Sequence, residues 1–274
     1  MNKIFVTTMN QDYFNSLGYK TLQSWLKNCK EGTIVLYAEN FMPTWDFPNQ
    51  IINWDDSLYE RLVIKNITLN SEWEKIYNLL NGRARNFIWK AASWTQAVND
   101  YQGVITFFDA DLVCFNDPNI LINEFIKNNY DASILSVKDK RPHADSCFYS
   151  INSIKSNNIL TEYKNQYSNC IFDKEIYPKP YDAPVLSKTL DILKNEIKVW
   201  DFNNGSEAKS PLKDTVLNEF FRHLKANQKD SGRLLGLIDK TINALDKDKS
   251  IIDVLTRFDR KLRQDDSKKL DVPF

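Results

Sequence analysis

Val104-Ile105-Thr106-Phe107-Phe108-Asp109-Ala110-Asp111-Leu112-Val113 is the stretch on which the fold turns. Five of its first six residues are β-branched or aromatic, and no charge precedes Asp109. Such a run predicts a strand buried on both faces. Two carboxylates then arrive two residues apart, where the strand should end. Alternation along an extended chain points Asp109 and Asp111 to the same side, so they can converge on one cation. Two uncompensated anions at the rim of a core are costly, and a bound Mg2+ or Mn2+ neutralises them. The same pair also suits a polar turn that merely ends a strand, because Asp is frequent in turns.

Upstream, Lys3 to Met9 reads as a strand, Tyr13 to Cys29 as a helix with Leu17, Leu22, Trp25 and Leu26 on its apolar face, and Thr33 to Ala38 as a second strand. Strand, helix, strand at this spacing is a βαβ unit, hence a parallel sheet with a right-handed crossover. Ligands of such sheets sit beyond the carboxyl ends of the strands. Thr7 and Thr8 after the first strand, and Tyr37 to Asn40 after the second, are therefore candidate ligand contacts. Turn or cap chemistry accounts equally well for the two threonines. Residues 40 to 70 read as irregular cover over a sheet edge. Ser71-Glu72-Trp73-Glu74 carries a capping-box pattern and opens a helix. Arg83 to Asn99 reads as another helix, whose Arg85 and Lys90 either point toward the carboxyl edge of the sheet or snorkel at the surface.

Beyond Asp117-Pro118 the pattern gives a helix, a strand over Ala132 to Val137, the charged loop KDKRPHAD and a short strand over Ser146 to Ile151. Two helical patterns follow around YPKPYDAPVL, where Pro178, Pro180 and Pro184 bracket Asp182 and predict a stiffened turn rather than a regular element. Asp214 to Lys225 reads as an amphipathic helix, ANQKDSGRLLG as a loop, and Leu234 to Leu245 and Ile251 to Leu262 as helices. The division is a catalytic domain over 1–233 and a helical extension over 234–274.

Composition narrows the class. The 36 Lys and Arg balance the 36 Asp and Glu, which argues against a nonspecific electrostatic grip on nucleic acid without excluding a local basic groove. Four widely spaced cysteines with no CxxC pair read as reduced, buried thiols rather than a zinc site. The first residues hold too short an apolar run for a signal peptide, and no segment is long enough to span a membrane. The expected location is the cytoplasm or another reducing compartment. The aromatic share of 13% suits ring-stacking surfaces for sugars or bases.

A buried strand ending in Asp-x-Asp downstream of a βαβ start resembles the GT-A fold of nucleotide-sugar glycosyltransferases. The helix carrying Phe87 and Lys90 is similar to the basic donor-binding helix that precedes the metal strand there, and Cys147-Phe148-Tyr149-Ser150-Ile151-Asn152 to the strand that lines the acceptor cleft. His223-Leu224-Lys225-Ala226-Asn227-Gln228-Lys229 resembles the His-x-x-Gly-x-x-Lys signature of galactosyltransferase- and glycogenin-like enzymes, with Ala226 at the Gly position. The resemblance implies an α/β fold with a mixed, mainly parallel, Rossmann-like central sheet flanked by helices. It implies His223 as a third metal ligand beside Asp109 and Asp111, and Lys229 on the donor diphosphate, with Lys225 adding charge.

The implied activity is metal-dependent transfer of a sugar from a nucleotide-sugar donor, a UDP-sugar, to a hydroxyl of a glycan. A hydroxymethylated base in phage DNA is the alternative acceptor. The chemistry suits these residue types, since a hard cation bridging the phosphates stabilises the charge that develops on a diphosphate leaving group. Arg85 or Lys90 would assist on the phosphates. Asp182 is the candidate acceptor-side general base, which would give inversion; with retention it would only position substrate. His143, beside Asp145, is a competing ligand or base. A nucleotidyltransferase also uses paired carboxylates, but it normally carries a glycine-rich phosphate loop after the first strand, and none precedes Gly18. A non-catalytic protein that binds sugar nucleotides on the same fold is the other alternative.

Overall fold

The computed structural model describes residues 1–43, 60–80, 82, 84–137, 143–155, 157–170, 182–203, 212 and 215–223. Lys225, Lys229 and the extension over 234–274 lie outside them, as do residues 138–142 of the KDKRPHAD loop and 177–181 of the YPKPYDAPVL loop. The strands are β1 (Lys3–Met9), β2 (Thr33–Glu39), β3 (Leu62–Ile67), β4 (Val104–Phe108), β5 (Leu112–Cys114), β6 (Ala132–Val137), β7 (His143–Asn152), β8 (Val199–Asp201) and β9 (Phe221–His223). The helices are α1 (Gln11–Tyr13), α2 (Tyr19–Asn28), α3 (Ser71–Leu79), α4 (Ala84–Asp100), α5 (Asn119–Lys127), α6 (Asn157–Cys170) and α7 (Asp182–Leu193).

Among the described residues, seven strands form the central sheet in the order β3-β2-β1-β4-β7-β6-β8. All point one way except β7, which runs antiparallel to β4 and β6. The expected mainly parallel α/β sheet is therefore what forms. Alternation sorts each strand between two cores. Ile4 and Val6 of β1, with Ile105 and Phe107 of β4, face Ile88, Ala91 and Trp94 of α4. Phe5, Met9, Val104 and Phe108 face Leu22, Trp25 and Leu26 of α2 and Phe125 of α5. Thr106, polar in an apolar run, meets the Ser150 hydroxyl across the ladder at 2.9 Å. Gly103 turns the chain into β4 at φ +136°, and a Cβ there would sit 2.3 Å from the Asn2 carbonyl oxygen, so only glycine fits.

Several sequence expectations are corrected. The first helix is three pieces: α1, a π turn over Phe14–Gly18, and α2. Residues 40–70 contain the edge strand β3, whose inward Ile67 and charged Lys65 do not give a clean alternation. The region read as a helix from Asp214 is a 3-10 turn over Val216–Glu219 followed by β9. Apolar neighbours at Phe220 and Phe221 suit either period, and burial of Phe221 under Trp25 decides for the strand. Asp182 does not sit in a turn but is the first residue of α7. Pro184 is tolerated there because first-turn N–H groups have no intrahelical acceptor, and an acid in that turn is favoured by the helix dipole.

Candidate metal centre

The Asp-x-Asp acids do not lie on a strand. β4 ends at Phe108, and Asp109 to Leu112 form a tight turn closed by Leu112 N–H to the Asp109 carbonyl at 2.9 Å. The two carboxylates converge because the chain reverses beyond β4, not because an extended strand alternates. The turn is fixed from below. Trp25 stacks on Phe108 at 3.8 Å between ring centroids and donates its indole N–H to the Leu112 carbonyl at 2.7 Å. Ser24 accepts from Cys114 N–H at 3.0 Å, and the Asn28 amide donates to the Cys114 carbonyl at 3.0 Å. So α2 holds β5, and β5 holds the site.

β9 pairs antiparallel with β5, and the register sets His223 opposite Leu112. A histidine more than a hundred residues downstream thus stands beside the acids. Its Nε2 lies 3.0 Å from Asp111 Oδ1 and 3.6 Å from Asp109 Oδ2. One ligating atom from each of Asp109, Asp111 and His223 falls within 4.8 Å of the others. His223 Nδ1 is buried without a hydrogen-bond partner among the described residues, which leaves Nε2 as the nitrogen facing the acids. Burial alone would lower the His223 pKa, but the Asp111 hydrogen bond and the charges of Asp109, Asp111 and Asp145 raise it above its ordinary value.

Lys90 of α4 enters from the opposite side. Its Nζ lies 2.5 Å from Asp109 Oδ1, donates to the Ser146 carbonyl at 2.7 Å, and sits 2.8 Å from Asp182 Oδ2 as an ion pair without hydrogen-bond geometry. Burial would depress the Lys90 pKa, yet Asp109 and Asp182 hold the ammonium well above the usual lysine range. Asp109 is raised, chiefly by burial and then by Asp111, against the lowering pull of Lys90. Three carboxylates and one ammonium leave two negative charges in a buried pocket, and a divalent cation cancels them. Two carboxylate oxygens and one imidazole nitrogen, with further coordination positions open, suit Mg2+ or Mn2+. The residues fit the ion.

Of the remaining candidates, Thr7 and Thr8 line a small hollow with Lys90, Ser93, Phe107 and Asp109. The Thr7 hydroxyl is buried with no hydrogen-bond partner among the described residues. Thr8 donates to the Tyr37 carbonyl at 2.8 Å and lies 3.2 Å from Glu39 Oε1. Tyr37 and Arg85 are not brought to the site. Tyr37 donates to Asp100 Oδ2 at 2.7 Å, and Arg85 Nε donates to the Leu80 carbonyl at 2.8 Å with its guanidinium over the Tyr77 ring. The side chain of His143, the competing ligand, is outside what the structure describes.

Sequence reasoning missed Ser146 and Tyr13, and it named Glu39 only as part of the run Tyr37 to Asn40. Glu39, at the carboxyl end of β2, is pushed up to about 7 by burial, against the lowering effect of its Thr8 hydrogen bond. Tyr13 hydrogen-bonds the Asp111 side chain. Nothing in the sequence separates Tyr13 from eleven other tyrosines.

The site occupies the carboxyl end of β4, beside β1, where the strand order reverses. That is where ligands of open α/β sheets bind. No protein-family model matches the sequence, and no curated protein matches it. Among solved structures, the galactosyltransferase LgtC in complex with donor and acceptor sugar analogs superimposes with a TM-score of 0.56 at 10% identity, over 90% of this chain and 98% of that one. An active-site mutant of LgtC gives 0.58 at 10% identity with the same coverage. The chain has the GT-A fold. The glycosyltransferase GlyE of Streptococcus pneumoniae TIGR4 also matches, at a TM-score of 0.49 and 12% identity, but this chain spans only 46% of GlyE.

Proposed function

We propose that the protein is a metal-dependent glycosyltransferase that moves a sugar from a nucleotide-sugar donor to a hydroxyl of a glycan acceptor. The observation that carries the reading is the meeting of His223 Nε2 with Asp109 and Asp111 at the carboxyl edge of β4, where the strand order reverses. When bound, a divalent ion supplies charge stabilisation to the diphosphate leaving group. Asp109, Asp111 and His223 would hold it. Lys90 fixes Asp109 by occupying Oδ1, so that Oδ2 is the oxygen left toward the ion. The phosphates are met by Lys225 and Lys229 in this reading, and Thr7 and Thr8 contribute hydroxyls under the donor.

A general base must be reached by the proton it accepts. Asp182 is 2% exposed and already paired with Lys90, so we assign it the positioning of Lys90 and the donor side of the pocket. The test is a screen of nucleotide-sugars for Mn2+-dependent release of nucleotide diphosphate, with UDP-sugars as the expected donors. Release that persists in EDTA, or that survives in Asp111→Asn, overturns the reading. A glycan acceptor predicts no salt-sensitive binding to duplex DNA. Binding that weakens steeply with salt would transfer the assignment to a DNA acceptor.

A further inference from the structure

We propose that Tyr13 is a positioning residue of the cation site, its hydroxyl donating to Asp111 and holding that carboxylate turned toward His223. The inference rests on the metal reading above. It starts from how Tyr13 is aimed. The Asn10 side chain caps α1 by accepting from Tyr13 N–H at 2.8 Å. α1 then runs into the π turn Phe14–Gly18, and such turns are frequent at functional sites. The turn closes on Gly18, where a Cβ would lie 2.1 Å from Met9 Sδ, so the Met9 side chain of β1 packs directly against the turn. The Tyr13 ring packs against Leu17, Val113 and Phe115, three buried side chains that grip the ring. The hydroxyl end reaches Asp111.

The two acids are thereby held in different ways. Asp109 is held by a cation, the Lys90 ammonium, which cancels much of its charge. Asp111 is held by a neutral hydroxyl, which orients the carboxylate and leaves its charge for the ion. His223 contacts the same carboxylate at 3.0 Å in the metal-free protein, but its Nε2 must give up that contact to ligate. Tyr13 is then the donor that keeps Asp111 in place in both states. Partners of this kind typically set metal affinity by about 10- to 100-fold.

The experiment is Mn2+ titration of the full chain without nucleotide, read by calorimetry and by the EPR signal of free Mn2+. Tyr13→Phe keeps the ring and removes the donor; a Kd raised about 10- to 100-fold, with native circular dichroism, is the expected result. Leu17→Ala is the control for packing. It loosens the ring, leaves the hydroxyl, and is expected to lower the melting temperature while Mn2+ affinity stays within about threefold of wild type. Wild-type affinity in Tyr13→Phe, or equal losses in both variants, overturns the assignment. Absence of Mn2+ binding by the wild-type protein would instead overturn the metal reading, so the two failures are distinguishable.

Discussion

Lys90→Met tests whether the buried charges of the site form a structural unit as well as a functional one. The substitution removes the ammonium that sits 2.8 Å from Asp182 and 2.5 Å from Asp109 while keeping most of the side-chain volume. Asp182 is 2% exposed, so it cannot recover water, whereas Asp109 is one-quarter exposed and keeps His223 nearby. Stranding one member of a buried ion pair typically costs about 3–5 kcal/mol. For a domain of this size each kcal/mol lowers the melting temperature by about 2–4 °C, so the expected fall is about 6–20 °C. Thermal and urea unfolding of the metal-free protein measure it.

The double variant Lys90→Met with Asp182→Leu separates pairing from clamping. Replacing both charges by apolar groups is often neutral, so most of the lost stability should return while transfer activity should not. A single variant melting within about 2 °C of wild type, or a double variant no more stable than the single one, would refute this reasoning. Either result would mean that the contact between Lys90 and Asp182 does not support the fold.

Asp111→Asn should abolish Mn2+ binding in calorimetry while leaving the metal-free protein as stable as wild type or more so, because Asp109 is held above the usual carboxylate range partly by the charge of Asp111. His223 gives a pH dependence of known sign. Its pKa is raised in the folded, metal-free protein, so its pairing with the acids stabilises fully below about 6.5 and is lost as pH rises through the raised value. Mn2+ requires the neutral imidazole, so the Mn2+-induced rise in melting temperature should grow with pH over the same interval; a flat dependence would exclude His223 as ligand. Trp25→Phe loses the bond to the Leu112 carbonyl and leaves a void at a fully buried position, for an expected cost of about 2–4 kcal/mol in denaturant unfolding.

The parts legible in the sequence are those whose signal is local. β1, β2 and β4 are short apolar runs buried on both faces, and α3 and α4 show a 3.6-residue period with a cap or a turn before them. These are enough to give the βαβ start, the parallel sheet and the strand that ends just before Asp109. What the sequence concealed depends on partners far along the chain. β3 and β8 are edge strands, only partly buried, so their alternation is weak. α1 and the π turn read as one helix with α2, because apolar spacing does not distinguish i→i+4 from i→i+5 hydrogen bonding.

The site shows the same division. Asp109 and Asp111 are neighbours in sequence, so their convergence could be expected, although the geometry that achieves it is a turn closed between Asp109 and Leu112. His223 was found through a motif-like run, but the reason it reaches the acids is a three-residue strand, not the helix its flanking residues suggest. A strand that short has little pairing energy of its own. It persists because Phe221 enters the stack of Trp25, Phe108 and Phe148 beneath the turn, and that stack also anchors Leu112. The third ligand is therefore delivered by the core two residues upstream of it. An Ala at residue 221 should on this argument lose Mn2+ affinity as well as stability, whereas Val98→Ala, in the core on the other face of the sheet, should lose stability alone.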